Sequence, residues 1–504
     1  MNKVGIIDIS AESIDMILAQ TSEKGYFKII DELKEIVDFG SDAISCCEMS
    51  HEKIDKTIRI FKTFKNMCLN AGVTDLIVVA SEEIRESKNQ INFRNKLTQV
   101  LDTDYKILSS DDDLYYSYLG AKNSMFIEKS LLVSINAYST NIAFIENNIL
   151  KEKAFLPFGF TDISKQFDLN NNIEFKTFDN LKIFVEEGLS EYEWLKNIKF
   201  DSIIGIGDSI LSLGKIDRSR KKYPIHVSHG YKFYIEDVKE IYNLLKSKNL
   251  DNRKKIAGLP EESVSSILAS TSILKLISNF TDTAEIDLCG NGLREGVLFD
   301  YLETHFETQK DILSSSLLGV MDNLNIDEKH ANQVLDLSLK LFEGLESLHK
   351  INTPNFRRIL KTAALLHDSG DSIRHYNHHL HSFYVILNAN INGLSHKELL
   401  MSAFAAAMHR NNLFSIPVAK YSSIINTLDA KHIEHIGVII RIAEGLDRSL
   451  CSAVSISDVR INDETVEIVL KSDKNIDLEL QEAYRSADAF KTFYKKNLVI
   501  TRIN

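Results

Sequence analysis

SLLVSINAYSTNIAFIENNILKEKAFLPFG, residues 130–159, reads as strand, turn, strand, strand, and the chain has used that layout once already. The first copy runs through KVGIIDIS (3–10), SIDMILAQT (13–21) and YFKIIDELKEIV (26–37). The residues differ between the copies, but the order of short apolar runs and turns is the same. After the first copy, Ile54, Ile58, Phe61, Phe64 and Cys68 recur at helical spacing between Ser50 and Ala71. TDLIVVAS (74–81) is then almost wholly apolar, as a strand covered on both faces should be. A helix over Ile91–Leu101, the strand YKILSS and a helix opening at Asp111 complete the unit. The second copy continues with DSIIGIGDSI (201–210), a strand running into a Gly-containing turn. Helices over Ile235–Lys248 and Glu261–Asn279 follow, and EIDLCGNGLREGVLFDYL (285–302) closes it as strand, turn and helix. Alternation of this kind gives an α/β fold class, duplicated, with domains at 1–127 and 128–306.

Beyond this point the period changes. From about 308 to 450 nearly every apolar run keeps 3 and 4 spacing, which predicts a helical domain over 307–450 with its boundary near Phe306–Ile312. The tail, 451–504, reads as a small α+β subdomain: a hairpin over 455–472, one helix over 480–496 and a last strand, NLVITRI. With 21 Gly and 5 Pro in 504 residues the chain is poor in breakers, so short loops are expected.

The formal charge of -12, unbroken by any long Lys/Arg block, argues against non-specific nucleic-acid binding and so against a DNA partner. The five Cys (46, 47, 68, 289 and 451) are odd in number and lack CxxC spacing, so they read as reduced thiols. The N-terminal apolar run is too short for a signal peptide, and no stretch of 18 apolar residues occurs, so a soluble cytoplasmic protein with no membrane partner is expected.

Ala363–Tyr384, AALLHDSGDSIRHYNHHLHSFY, is the richest stretch chemically: seven of its 22 residues are His or Asp. His367 falls in step with Ala363, Leu360 and Phe356, on the buried stripe of its helix. His330 precedes Val334, Leu337, Leu341, Leu345 and Leu348 at the same spacing. Asp447 shares a face with Ile436, Ile440 and Ala443, and His409 ends the small-residue run SAFAAAMH. Each alone reads as a satisfied core His or a capping Asp; together, in the order His, His-Asp, His, Asp, they read as a metal site. Imidazole with carboxylate suits Mn, Fe, Zn or Mg better than Ca. The spacing resembles the HD phosphohydrolase signature. On that resemblance His330, His367, Asp368 and Asp447 hold a metal, while His379, His381 and His409 hold a second metal or a phosphate.

Over its whole length the chain resembles the exopolyphosphatase and guanosine pentaphosphate phosphatase (Ppx/GppA) family, in the long form with a C-terminal HD-like domain. The stretches that carry this are VVASEEIRESKN, ILSSDDDLYYSYLG, GIGDSI, LCGNGLREGVLFD and HHLHSFYVI. The resemblance implies duplicated actin-like (ribonuclease-H-like, ASKHA) domains flanking a cleft. There Gly-rich turns hold phosphate, an acid binds Mg or Mn, and a Glu acts as general base. Carried over, the base is Asp112 and a phosphate-binding Arg is Arg85. Ser13 lies in the first turn (8–13), Ser139 in the second (134–141), and Gly207 and Ser209 in the third (205–209). The first two turns depart from the family pattern: Ser10 stands for a Gly, and SINAYSTN for Asp-Ile-Gly-Gly-Gly-Ser-Thr-Glu. Backbone amides approach phosphate best where Gly allows it, so a degenerate cleft is expected. The acidic run Asp111–Asp113 reads equally as a helix N-terminus that favours carboxylates.

Three functions follow. The lead is release of terminal phosphate from polyphosphate or guanosine pentaphosphate, a polyanionic substrate. The second is a metal-dependent HD-type phosphohydrolase acting on a nucleotide, with Fe or Zn also suited to its site and the cleft a sensor. The third is a non-catalytic regulator that binds a phosphometabolite. The resemblance further implies a homodimer.

Overall fold

The computed structural model describes residues 2–10, 12–37, 49–80, 88–101, 105–170, 175–307, 311–410 and 416–503. The chain divides into two compact units, Met1–Ile312 and Leu313–Asn504.

In the first unit β1 (Asn2–Ile9), β2 (Ser13–Thr21) and β3 (Phe27–Ile36) form an antiparallel meander. The helix α1 (His51–Ala71) then leads to β4 (Asp75–Ala80), which lies parallel to β1 on its other side. α2 (Gln90–Leu101), the short β5 (Lys106–Ile107) and α3 (Ser110–Lys122) follow, giving sheet order β3-β2-β1-β4-β5. The second sheet repeats this plan: β6 (Lys129–Ile135), β7 (Thr140–Glu146) and β8 (Ile149–Leu156) form the meander, and β9 (Ser202–Ile206) is parallel to β6. β10 (Lys232–Tyr234) and β11 (Glu285–Leu288) extend it to the order β10-β11-β9-β6-β7-β8. The duplication expected from residues 130–159 is thus a duplication of topology.

The continuous apolar runs are explained by burial on both faces. Ile7 and Ile9 of β1 pack with Phe61 and Phe64 of α1, whereas Val4 and Ile6 face Val297 and Leu298 of a helix from the far end of the unit. The helices that position the cleft are α3, α4 (Asp208–Lys221), α5 (Ile267–Phe280) and α6 (Leu293–His305). α3 and α6 meet almost backbone to backbone. A Cβ at Gly296 would lie 1.8 Å from the Tyr116 carbonyl oxygen, and one at Gly120 2.6 Å from that of Gly292. The segment read as one helix over Glu261–Asn279 opens instead as a 3₁₀ turn at Glu261–Ser263, and α5 begins at Ile267.

The second unit is helical as expected: α7 (Glu328–Gly344), α8 (Pro354–Leu366), α9 (His378–Asn388), α10 (His396–Ala407) and α11 (Thr427–Gly445). Its last part is a three-stranded sheet of β12 (Ser455–Ile461), β13 (Thr465–Lys471) and β14 (Asn497–Ile503). β12 pairs antiparallel and β14 parallel to β13. A parallel return needs a crossover. It is made by two helices, α12 (Asp477–Tyr484) and α13 (Ala487–Tyr494), where the sequence suggested one; the run breaks at Arg485–Ser486, where the Ser486 N–H turns back to the Ala483 carbonyl at 3.0 Å.

Candidate functional sites

A cavity of about 950 Å³ opens between the two sheets of the first unit. Ser13, Ser139, Gly207 and Ser209, expected from three separate turns of the sequence, all line it. Arg85 lies outside the described residues.

Asp112 does not line this cavity. It is the third residue of α3, where its carboxylate accepts the Ser109 N–H at 3.0 Å while the Ser109 hydroxyl accepts the Asp112 N–H, a reciprocal capping box. Lys106 sits 2.7 Å away. Partial burial works against the charge, but Lys106 and the Ser109 bonds pull the pKa down to about 2. A carboxylate so strongly held as an anion, and turned from the cavity, is a poor proton acceptor. The assignment of Asp112 as base is therefore corrected by its geometry. The neighbour Asp113 does line the cavity, and its Oδ2 accepts from the side-chain amides of Asn136 (3.1 Å) and Asn141 (3.2 Å). The substitutions that read as losses in the second turn thus supply the donors that fix this carboxylate.

The turns close without the expected glycines. The Ser10 hydroxyl accepts the Ser13 N–H at 3.0 Å, and Ser13 Oγ donates to Asp15 at 2.6 Å. The Asn136 N–H bonds the Ser139 carbonyl at 2.9 Å. Gly207, at φ 91°, is the N-cap of α4 in a conformation that favours Gly, and it has no side chain with which to cap that helix. The positive end of α4 therefore faces the cavity. Ser209 Oγ donates to the Ile135 carbonyl at 3.0 Å, which ties the third turn to the second.

Two cations that the sequence reading did not single out also line the cavity. Lys34, on β3, bonds Asp208 and stands 3.7 Å from Asp15. Arg294 pairs with Glu32 at 2.7 Å, while its Nη1 is buried without a hydrogen-bond partner among the described residues. Beneath the lining residue Gly290, the His229 Nδ1 accepts the Gly290 N–H and its Nε2 donates to the Ser124 carbonyl, both at 3.2 Å. Burial pushes its pKa down to about 4.

In the second unit, α8 ends at His367-Asp368 and places both beside His330 of α7. His409, just past α10, and His378, the first residue of α9, approach the same carboxylate: Asp368 Oδ1 is 3.0 Å from His378 Nε2 and 3.5 Å from His409 Nε2. His379 is buried but does not join these groups; the turn through Asn377, at φ 60°, brings in His378 instead, and His381 also stays outside. Asp447 is a brace: its Oδ2 accepts from His330 Nδ1 at 2.8 Å and its Oδ1 from the Ser452 N–H. Burial disfavours charge on His367, yet Asp368 lifts its pKa to about 9. Burial, then the His367 charge, hold His409 well below the ordinary value.

The chain matches the model of the Ppx/GppA phosphatase family over residues 17–305 and that of Ppx/GppA phosphatase, domain III, over 312–488. It is 22% identical over 436 residues to a guanosine-5'-triphosphate,3'-diphosphate pyrophosphatase of Pseudoalteromonas translucida, covering 82% of this chain and 81% of that one. The relative of the same name from Vibrio vulnificus is 21% identical over 422 residues, with the same coverage of each chain. Among solved structures, the Aquifex aeolicus Ppx/GppA family member aligns with TM-score 0.54 and 23% identity, over 61% of this chain and 99% of that one. An exopolyphosphatase from Cytophaga hutchinsonii aligns with TM-score 0.57 and 16% identity over the same shares. These likenesses agree with the actin-like fold of the α/β half.

Proposed function

The chain belongs to the Ppx/GppA phosphatase family, and from that membership we propose that it is an exopolyphosphatase-like hydrolase. It would release terminal phosphate from inorganic polyphosphate or guanosine pentaphosphate in the cavity of the α/β unit. The observation that supports this most directly is Asp113, held by two amides inside that cavity. Phosphoryl transfer asks the protein chiefly for positioning and charge stabilisation. Asp113 orients and deprotonates the attacking water. The N-terminus of α4 at Gly207 and the Nη1 of Arg294, without a hydrogen-bond partner among the described residues, receive the equatorial oxygens. Asp8, which also lines the cavity, offers the oxygen ligand that Mg or Mn would take, and such an ion would supply charge neutralisation at the transferred group. The loss of glycine from two turns predicts weaker phosphate binding rather than a different reaction. We also read the helical unit as HD-like, on the His367-Asp368 pair that ends α8; this makes no claim on the cleft.

The test is phosphate release from long-chain polyphosphate and from guanosine pentaphosphate, with Mg or Mn, for wild type, Asp113→Asn and Asp112→Asn. Asp113→Asn should lower kcat by on the order of 10²-fold or more, the usual contribution of a general base. Asp112→Asn should keep kcat and lose about 1 kcal/mol of stability with its cap. Unchanged turnover in Asp113→Asn would remove the cleft as the active site.

A further inference from the structure

We propose that the α/β unit carries a second anion site outside the cavity, where Lys182, Lys239, Lys246 and Lys275 receive a compact polyvalent phosphate of the size of pyrophosphate. Three helices bring these residues together. On the helix Phe175–Ser190, Phe178 and Lys182 are four positions apart and share a face; on the helix Ile235–Lys246, Lys239, Tyr242 and Lys246 do the same at spacings of three and four. Lys275 comes from α5. Phe178 and Tyr242 meet across the first two helices with ring centroids 5.1 Å apart. The Lys275 ammonium stands 4.6 Å from the Phe178 centroid and 4.2 Å from that of Tyr242, and the Lys246 ammonium 5.7 and 5.9 Å from the same two rings. None of these residues lines the cavity.

The aromatic faces hold these cations but do not neutralise them. Burial, then the charges of Lys239, Lys246 and Lys182, hold the Lys275 pKa below its ordinary value, and no carboxylate among the described residues offsets them. Lys182 and Lys239 find their acids, Glu186 and Glu236, on their own helices at 3.8 Å, the loose end of an ion pair. Both lysine side chains stay about half exposed, at 52% and 44%, so a ligand can reach them. Four positive charges thus converge with little to balance them, in a chain whose formal charge is -12. A bound polyanion removes their mutual repulsion, and lysine binds phosphate as a point charge without needing a fixed fork of donors. The footprint is small. The same two helices expose Asp179, Glu187, Glu236 and Glu240, so the positive field is confined to this face. An extended polyanion, a nucleic acid or a lipid surface, meets repulsion at its edges, whereas a compact one does not.

The test is acylation of the lysines of the metal-stripped, full-length protein by a trace of acetic anhydride, read peptide by peptide by mass spectrometry, in pyrophosphate and in sodium chloride of equal ionic strength. Pyrophosphate should slow the labelling of Lys246 and Lys275 by about five-fold or more. Lys420, which also lies over a tyrosine ring, should label at the same rate in both salts. Lys182→Gln combined with Lys239→Gln should raise the pyrophosphate concentration needed for protection by about ten-fold. Equal labelling in the two salts, protection that extends to Lys420, or protection unchanged in the double variant would each overturn the proposal. So would protection by a short RNA or by phosphatidylserine vesicles where pyrophosphate gives none, which would assign the face to an extended polyanion. The readout is local to these lysines, so the site stands or falls apart from the cleft.

Discussion

At the level of single residues, the decisive distinction is between Asp112 and Asp113. Adjacent positions on a helix point about 100° apart, so one acid of the pair serves the cap and the other the cavity. The signal for this was in the sequence: Ser109 followed three residues later by Asp112 is the spacing of a capping box. His229 carries a second residue-level prediction. Its neutral ring donates to Ser124 and accepts from Gly290, and protonation would replace the accepted bond with a repulsion. Its pKa of about 4 lies below the ordinary 6.5. Between these values the unfolded chain binds the proton and the folded chain does not, so stability falls as pH drops from 6.5 towards 4. Lost in full, this is roughly 3 kcal/mol. His229→Gln can make both bonds and cannot titrate. Denaturant unfolding at pH 7 and pH 5 should therefore show a smaller loss in the variant than in wild type; equal losses would mean that His229 titrates normally. Nothing in the sequence marked His229, because a lone His beside no motif has no pattern to stand out against.

Among elements, the strands were the most legible, since β1, β4, β6 and β9 are covered on both faces and announce themselves as apolar runs. The His-bearing helices were legible for the same reason, their His residues falling in step with core residues, but the phase at α9 was not. Choosing between His378 and His379 depends on the left-handed turn at Asn377, and such a turn leaves no apolar periodicity. The approach of α3 to α6 was hidden too, because it depends on glycines that read only as helix weakeners. It yields a prediction: Gly296→Ala improves helix propensity by about 1 kcal/mol yet drives a methyl into the Tyr116 carbonyl oxygen. The clash should win, with a net loss of roughly 1–3 kcal/mol in urea unfolding of the α/β unit. A stabilised variant would mean that the two helices can separate at little cost.

For the α/β unit as a whole, the duplicated topology makes two sheets face one cavity, and charge crosses it. Lys34 extends from β3 of the first sheet to Asp208, the first residue of α4 on the second. The sequence could not reveal a pairing across 174 positions: Lys34 lies in a strand that was legible, whereas Asp208 was read as part of a turn and proves to open α4. An anionic substrate entering this cavity must compete with Asp208 for Lys34. Asp208→Asn removes the competitor and one negative charge, so KM for polyphosphate should fall. Lys34→Met leaves Asp15 and Asp208 without their counter-charge, so KM should rise. An interaction at a solvent-reached site is worth about 1 kcal/mol, which sets each change at about five-fold, and kcat should move less because Asp113 is untouched. The opposite signs separate this account from a structural one. If Lys34 and Asp208 merely latch the two sheets together, both substitutions loosen the same contact and shift KM in the same direction. That outcome would mean that the pair holds the cavity closed and does not receive phosphate.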